Sequence, residues 1–242
     1  MKLHVTGATG YLGSELVRLR PDASTERVEI RDAAAVRALL ERLRPDLVVH
    51  AAYRQEEPDV NTVGSENVAR AAAAVGARLV HLSTDVVFDG RKGAPYVEED
   101  PLCPVTAYGR SKAEAERRVA AAHPEALIVR TSLLYGGAEP SKHELAARDP
   151  AFTFYTDEIR SPVQVTDLAR ALLELAELDA AGPLHVAGAD AVSRAELAEL
   201  VARRPVLSAP APPGRPLDCS LDSSRAQAMI RTVLRGVREV LG

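Results

Sequence analysis

Residues 2–13 of the chain read KLHVTGATGYLG, an apolar run that leads into a glycine-rich turn. The run predicts a short buried strand, and Leu12 begins a predicted helix. Gly7, Gly10 and Gly13 would let the backbone approach a pyrophosphate closely, while the start of the helix offers free N–H groups to the phosphates. The stretch therefore predicts a dinucleotide-binding turn. The alternative is a plain tight connection between a strand and a helix.

The alternation of strand and helix continues well beyond this turn. Buried apolar runs predict further strands at 27–30, 46–52, 77–84 and 126–132. Helical spacing predicts helices at 33–43, 60–75 and about 106–122. This alternation is typical of a parallel sheet with helices on both faces, and nearly continuous apolar strands agree with it. The predicted fold class is α/β, a Rossmann-type doubly wound parallel sheet.

Beyond residue 132 the sequence becomes richer in loops. It predicts a helix at 167–178, a strand at 184–188, a helix at about 193–203 and a last helix at about 223–241. We expect residues 1–132 to form a dinucleotide-binding domain, with 160–180 packing back onto it. Residues 133–159 and 181–242 are expected to form a small C-terminal substrate-binding part.

The composition excludes several classes of partner. Hydrophobic residues make up 46% of the chain, charged residues 26%, and the net charge is -4. Without a basic excess, no nucleic acid is expected as a partner. No signal peptide and no bilayer-spanning run is recognisable, so no membrane partner is expected either. A homo-oligomer is compatible with the sequence but is not predicted by it.

The cysteines and histidines predict no metal site. Cys103 and Cys219 lie far apart and outside any CxxC pattern, which favours a reducing cytoplasm over a disulfide framework or a zinc site. His4, His50 and His81 lie in apolar strands, where a hydrogen-bonded core histidine is the usual role.

The end of the predicted second strand carries the residues that would distinguish NAD from NADP. Glu29 and Asp32 are the type of side chain that binds a free ribose 2′-hydroxyl, whereas Arg31 suits a 2′-phosphate. Ile30 lies between Glu29 and Arg31. Their orientation depends on the register of the strand, so the sequence predicts NAD or NADP without selecting one.

Tyr108 and Lys112 would share one face of the helix that begins near residue 106. A phenol ionises at about pH 10, and a nearby ammonium group together with a bound nicotinamide would lower that pKa. Tyr108 could then donate a proton to an alkoxide as hydride arrives at a ketone carbon. Thr84 closes the fourth predicted strand, and its hydroxyl could hold the same carbonyl oxygen.

At these residues the chain resembles the extended short-chain dehydrogenases/reductases, and most closely the dTDP-4-dehydrorhamnose reductase group. The matching stretches run along the whole chain and include TGATGYLGSEL (6–16), LVHLSTDVVFDG (79–90), PYVEEDPLCPVTAYGRSKAEAE (95–116) and DEIRSPVQVTDLARALL (157–173). The resemblance implies an NAD(P)-dependent oxidoreductase with Thr84, Tyr108 and Lys112 as its catalytic set. It also implies a nucleotide sugar as the small-molecule substrate.

Together with the glycine turn, this resemblance gives a full set of expected contacts. The expected cofactor contacts are Gly7, Gly10, Tyr11, Leu12, Gly13, Glu29, Ile30, Arg31, Ala51, Ala52, Tyr53, Tyr108 and Lys112. The expected substrate contacts are Thr84, Asp85, Leu133 and Arg160.

The chain departs from the group around the substrate pocket and the cofactor-reading segment. Val86 replaces a usual tyrosine, Leu133 stands where a sugar-contacting tryptophan is usual, and residues 18–32 form a shorter segment than usual. The first hypothesis is an NAD(P)H-dependent reductase of a 4-keto sugar nucleotide or a similar ketone. The second is a non-catalytic NAD(P)-binding subunit that regulates a partner enzyme, because a binding module could lose sugar contacts and keep the glycine turn. A sugar-nucleotide epimerase or dehydratase is the third.

Overall fold

The computed structural model describes residues 1–242 and contains short strands throughout. In chain order the strands are β1 (Leu3–Thr6), β2 (Leu47–His50), β3 (Arg78–Thr84), β4 (Leu127–Thr131), β5 (Leu134–Tyr135), β6 (Phe154–Tyr155), β7 (Ile159–Arg160), β8 (Val163–Gln164), β9 (Gly182–His185), β10 (Val192–Ser193) and β11 (Ser208–Ala209). One five-stranded sheet has the order β1-β2-β3-β4-β9, and every neighbouring pair in it is parallel. The predicted α/β fold with a Rossmann-type parallel sheet is confirmed.

The helices cover both faces of this sheet. They are α1 (Tyr11–Leu19), α2 (Ala33–Leu43), α3 (Pro58–Asn61), α4 (Val63–Val75), α5 (Ala107–Ala122), α6 (Lys142–Arg148), α7 (Val165–Leu175), α8 (Arg194–Ala202), α9 (Ser224–Met229) and α10 (Val237–Leu241). Successive strand side chains point to opposite faces, so Val49 packs in the core with α1 and α7 while Val48 packs with α2, α4 and α5. A bilayer crossing would need a longer apolar helix than any of these.

The predicted second strand at 27–30 is wrong. Only Ser24 pairs with β1, through a single parallel bridge to His4, and the chain then leaves the sheet edge. At the end of the segment the Asn67 side chain of α4 donates its amide to the carbonyl oxygens of Ile30 and Arg31 at 3.0 and 3.1 Å, and the Asp32 N–H closes a turn on the Glu29 carbonyl oxygen. These groups are satisfied by a helix side chain and a turn instead of a neighbouring strand.

The small part beyond residue 132 is built from short pairs and helices. β5 pairs with β8 and β11 with β6, both parallel, while β10 pairs with β7 in antiparallel fashion. Helices α6, α8 and α10 pack beside these pairs. The sequence-based division assigns 181–242 to this part, whereas Gly182–His185 completes the main sheet as β9. Residues of α7 pack in the main core beside α1.

The predicted last helix at 223–241 is also wrong, because it is broken into α9 and α10. Glu174 of α7 accepts hydrogen bonds from the backbone N–H groups of Arg231 and Thr232 at 2.6 and 3.1 Å, and from the Thr232 hydroxyl. A carboxylate that binds these N–H groups competes with the helical hydrogen bonds they would otherwise make. The chain therefore runs in irregular conformation from residue 230 to 236.

Candidate active site

The glycine turn between β1 and α1 has the geometry of a cradle. Gly7 has a φ of 71°, and a Cβ there would lie 2.7 Å from the Ala52 nitrogen. A Cβ on Gly13 would lie 2.1 Å from the Gly7 oxygen. Gly10 is the N-cap residue of α1, and no side chain caps the N–H groups at the start of this helix. The turn thus fits a dinucleotide pyrophosphate, since it presents bare backbone and the positive end of a helix dipole.

Two adjoining cavities open at the carboxyl ends of the sheet strands. The edge cavity, about 440 Å³, is lined by Gly7, Gly10, Glu29, Ile30, Arg31, Ala51, Ala52 and Tyr53, among others. The central cavity, about 500 Å³, is lined by Gly10, Tyr11, Leu12, Gly13, Ala51, Ala52, Tyr53, Thr84, Asp85, Tyr108, Lys112, Leu133 and Arg160, among others. The structure therefore brings every predicted site residue to one cavity or the other.

Thr84 lies where β3 ends and a short 3-10 helix, Asp85–Val87, begins. Its hydroxyl donates to an oxygen of the Asp85 carboxyl group at 3.1 Å. Asp85 is buried and accepts a second hydrogen bond from the Ser132 hydroxyl at 2.6 Å. Burial raises the pKa of Asp85, although the Arg160 charge and the two hydroxyl donors oppose that shift. The carboxyl group thus fixes the position of the Thr84 hydroxyl at the cavity wall.

Tyr108, in the first turn of α5, presents its phenol to the central cavity. The ring lies 5.8 Å from the Tyr53 ring, centroid to centroid, and the hydroxyl has no hydrogen-bond partner in the protein. Burial raises the pKa of Tyr108, and the nearby Tyr53 and Asp85 add to the shift. The lowered pKa expected with Lys112 and a bound nicotinamide is therefore absent from the ligand-free protein, and the phenol stays protonated at neutral pH.

Lys112 lies one helical turn beyond Tyr108 and is only 2% exposed. Its ammonium group donates to the Leu82 carbonyl oxygen at 2.6 Å and lies 3.5 Å from Nε2 of His81. Burial lowers the pKa of Lys112 to about 8, and the Glu116 charge only partly opposes this. The lysine is thus held at the wall of the central cavity by a strand carbonyl.

We expect Lys112→Met to stabilise the ligand-free protein at neutral pH. The pKa of Lys112 falls from 10.5 to about 8 on folding, so below pH 8 the folded protein carries a buried ammonium group at a cost. Between these two values the unfolded chain binds more protons than the folded one, and the stability of the wild type therefore rises with pH. The variant should gain about 1–3 kcal/mol in free energy of unfolding at pH 7, less as the pH approaches 10.

Urea denaturation at pH 7 and at about pH 10 measures this gain in free energy of unfolding. Substitution of the exposed Lys2 by methionine is the control. A loss of stability at pH 7, or a gain that does not depend on pH, would contradict the expectation.

A group of basic side chains forms the far wall of the central cavity, and we call it the basic wall. Its members are Lys142, His143, Arg160, Arg194 and Arg215. Three of its arginines surround the fully buried carboxylate of Glu158: Arg160 at 3.8 Å, Arg194 at 3.7 Å and Arg215 in direct hydrogen-bond contact. Three cations around one carboxylate leave a local positive excess, which suits an anionic ligand such as a diphosphate.

The family model described as "RmlD substrate binding domain" matches residues 1–242. The chain belongs to the RmlD substrate binding domain family. The predicted resemblance to the dTDP-4-dehydrorhamnose reductase group is thereby confirmed.

Similar proteins include dTDP-4-dehydrorhamnose reductases and proteins of other names. The dTDP-4-dehydrorhamnose reductase of Mycolicibacterium smegmatis is 34% identical over 99% of this chain and 84% of its own length. The methionine adenosyltransferase 2 subunit beta of Xenopus laevis is 30% identical over 98% of this chain and 86% of its own length. Among solved structures, the Bacillus anthracis dTDP-4-dehydrorhamnose reductase in complex with NADP superposes with a TM-score of 0.88 at 27% identity, covering 100% of this chain and 98% of the other.

In this member of the RmlD family, Arg160 lines the central cavity, where a substrate contact was expected, but its guanidinium is largely engaged by the protein itself. It is buried, and its guanidinium donates to the carbonyl oxygens of Ile159, Pro216 and Leu217. It also lies 3.7 Å from the Asp85 carboxyl group. Most of the N–H donors of Arg160 are already bound to protein oxygens. Arg160 therefore holds the cavity wall together, and it would act on a ligand through its charge more than through hydrogen bonds.

Four members of the basic wall were missed by the sequence analysis: Lys142, His143, Arg194 and Arg215. They come from three separate segments, so no local spacing marks them as a group. One signal was available, since Ser141 and Glu144 flank Lys142 and His143 in the S-x-x-E pattern of a capping box, and the structure forms that box.

Glu29 and Arg31 bind each other at the mouth of the edge cavity. The Arg31 guanidinium donates to both Glu29 carboxylate oxygens at 2.8 Å and to Glu57 at 3.3 Å. The Arg31 hydrogen bonds lower the pKa of Glu29 to about 2, so the pair is fully charged at neutral pH. A ribose hydroxyl and a 2′-phosphate would each have to disturb this same pair.

We therefore expect weak discrimination between the two cofactors. NADPH and NADH should bind within about tenfold of each other, which is about 1.4 kcal/mol. Calorimetric titration of each cofactor into the purified protein measures the ratio. A hundredfold preference in either direction would show that one of the two side chains leaves the pair and selects the cofactor.

Proposed function

We propose that this chain is an NAD(P)H-dependent reductase of a 4-keto sugar nucleotide, with a dTDP-linked sugar as the substrate class. The observation that carries the proposal is the unpartnered Tyr108 hydroxyl, which shares the central cavity with Thr84 and the glycine turn. An acid, a carbonyl-binding hydroxyl and a dinucleotide cradle in one cavity are what ketone reduction requires. The similarity to named reductases over most of the chain supports the same reading.

When bound, the nicotinamide supplies the hydride for the ketone carbon. The glycine turn would hold the cofactor pyrophosphate against the start of α1. Thr84 would turn its hydroxyl from Asp85 to the carbonyl oxygen and hold it. Tyr108 would give its phenolic proton to that oxygen as negative charge develops on it. Lys112, in its ammonium form at the cavity wall, would favour the phenolate that remains.

The basic wall would bind the diphosphate of the substrate. Arg194 and Arg215 offer planar guanidinium groups, which suit phosphate oxygens, and Lys142 adds a further charge. Burial and the Arg194 and Lys142 charges lower the pKa of His143 to about 3, so this ring is neutral and can serve as a hydrogen-bond partner. Asp85 and Leu133 would face the sugar between the wall and the catalytic set.

The test is turnover by the isolated chain. NADPH oxidation should be followed with a dTDP-linked 4-keto sugar, and the reduced product identified by mass spectrometry. Arg194→Gln should raise KM for this substrate at least tenfold while kcat changes little, since the arginine binds substrate away from the reacting carbon. Arg225→Gln, at an exposed ion pair with Glu99, is the matched control. Absence of turnover across a panel of keto sugar nucleotides would refute the proposal.

A regulatory subunit is the second candidate function. The similarity to the Xenopus laevis methionine adenosyltransferase 2 subunit beta favours it, as does Leu133 where a sugar-contacting aromatic residue was expected. Such a protein would bind NAD(P), copurify with an enzyme and turn over no keto sugar. Robust turnover by the isolated chain would remove this candidate, whereas stable copurification without turnover would replace the first proposal by the second.

We place the reaction in the cytoplasm. Cys103 and Cys219 are both free thiols, the state that a reducing compartment maintains. Fractionation of cells that express the tagged chain measures this, and recovery in a membrane or secreted fraction would contradict it.

A further inference from the structure

Tyr11 joins two parts of the molecule that are distant in sequence. It is the first residue of α1, directly after Gly10, and its backbone is part of the glycine turn. Its side chain reaches into the small C-terminal part. The hydroxyl donates to Oε2 of Glu144 at 3.1 Å and accepts a hydrogen bond from the Gly137 backbone N–H at 2.7 Å.

Glu144 in turn fixes the start of α6. Its carboxylate accepts hydrogen bonds from the backbone N–H groups of Ser141 at 2.8 Å and Gly136 at 3.3 Å. Its own N–H donates to the Ser141 hydroxyl, which completes the capping box. Lys142 and His143 of the basic wall lie between the two capping residues. Because Tyr11 binds Glu144, the position of the Tyr11 hydroxyl influences where Lys142 and His143 lie in the cavity wall.

The contact between Tyr11 and Gly137 is close. A Cβ at position 137 would lie 2.9 Å from the Tyr11 hydroxyl oxygen and 3.0 Å from the ring carbon that carries it. Burial raises the pKa of Tyr11 to about 12, so the phenol keeps its proton and remains a donor to Glu144 throughout the neutral range. The phenol is thus protonated at working pH, and the close approach makes the contact sensitive to displacement of either partner.

We propose that Tyr11 is a positioning residue that couples dinucleotide binding at the glycine turn to the placement of α6 in the basic wall. The inference rests on the proposed function, because it needs a dinucleotide at the turn and an anionic substrate at the wall. A pyrophosphate held by the first turn of α1 restrains the Tyr11 backbone, and the side chain transmits this restraint to Gly137 and Glu144. By linkage, each ligand should bind more tightly when the other is present.

Hydrogen exchange with NADP⁺ alone tests the coupling without any catalysis. In the wild type, NADP⁺ should slow amide exchange severalfold both in the glycine turn, 7–14, and in the segment 137–148 that contains α6. In Tyr11→Phe the turn should still be protected, while protection of 137–148 should disappear. Gly137→Ala, which displaces the hydroxyl from the other side, should behave in the same way.

The outcomes separate this inference from the proposed function. Equal protection of 137–148 in the wild type and both variants would overturn the coupling, as would protection of the turn alone in the wild type. If NADP⁺ protected neither segment, the dinucleotide site itself would be refuted, and the proposed function and the coupling would fail together.

Kinetics provide a second readout that a merely structural contact would not give. Tyr11→Phe should raise KM for the nucleotide sugar about fivefold or more, within the usual range of coupling energies, while kcat stays within twofold. Tyr96→Phe is the matched control, because its hydroxyl also donates to a carboxylate, that of Asp89 at 2.8 Å, but lies outside both cavities. An equal rise of KM in the two variants would show that the Tyr11 effect comes from general loosening of the fold.

Discussion

Replacement of Tyr108 by phenylalanine is expected to lower kcat by about 10²- to 10⁴-fold, the usual range for loss of a general acid. The physical reason lies in the position of the hydroxyl, which faces the central cavity with no protein partner and is kept protonated by burial. Phenylalanine keeps the ring beside Tyr53 and removes only the proton that the alkoxide needs. NADPH binding should therefore stay within about twofold, since the lost group acts on the substrate oxygen.

Steady-state kinetics and calorimetry on the same preparation measure the two quantities. Tyr96→Phe, which removes a hydroxyl outside both cavities, should keep the wild-type kcat. Equal turnover in Tyr108→Phe would remove the assignment of Tyr108 as the acid, and a parallel loss of NADPH binding would assign its role to cofactor binding instead.

Replacement of Gly13 by alanine is expected to cost about 3 kcal/mol or more of folding free energy, because the new methyl group overlaps the backbone of Gly7 and Ala8. Its Cβ would lie 2.1 Å from the Gly7 oxygen and 2.8 Å from the Ala8 Cα, and neither atom can rotate away as a side chain would. For a chain of this size the loss corresponds to a fall of roughly 6–12 °C in melting temperature. Any folded fraction should bind neither NADPH nor NADH, since the turn must open to accept the methyl group.

Thermal unfolding followed by circular dichroism measures the loss. Gly76→Ala is the control, because Gly76 has a φ of 70° but nothing within 4 Å of its Cβ position. It should cost only the strain of a left-handed alanine, about 1–2 kcal/mol. A Gly13→Ala protein with wild-type melting and wild-type NADPH affinity would contradict the cradle described for the turn.

Local requirements made much of the site predictable. Three glycines at fixed spacing after an apolar run indicate a turn in which the backbone leaves no room for side chains. This requirement is local to the turn, so the sequence alone reveals it. Tyr108 and Lys112 share a face because helical periodicity does not depend on distant contacts. The parallel sheet could be predicted because apolar runs alternate with segments of helical spacing along the sequence.

The features that the sequence did not reveal depend on contacts with side chains that are distant along the chain. Residues 27–30 have a strand-like composition, but the Glu29 carbonyl oxygen is bound in a turn by Asp32 and the Ile30 carbonyl oxygen by the Asn67 side chain. The helix predicted at 223–241 is interrupted because Glu174 binds two of its N–H groups. The basic wall depends on the same kind of convergence, since Arg194 and Arg215 meet around Glu158 only after the small part has folded.

The packing of residues 226–234 in the main core bears on how the protein folds during its synthesis. Ala226, Ile230 and Leu234 pack in the same core as Leu3 and Leu16, and β9 supplies the final strand of the main sheet. Contacts between such widely separated residues form slowly, because a long loop must close first. Until residues 226–234 have been synthesised, the apolar side chains of β1 and α1 that they cover are therefore incompletely buried. Translation speed and chaperone access over that interval, more than the intrinsic stability of β1 and α1, should govern the yield of native protein.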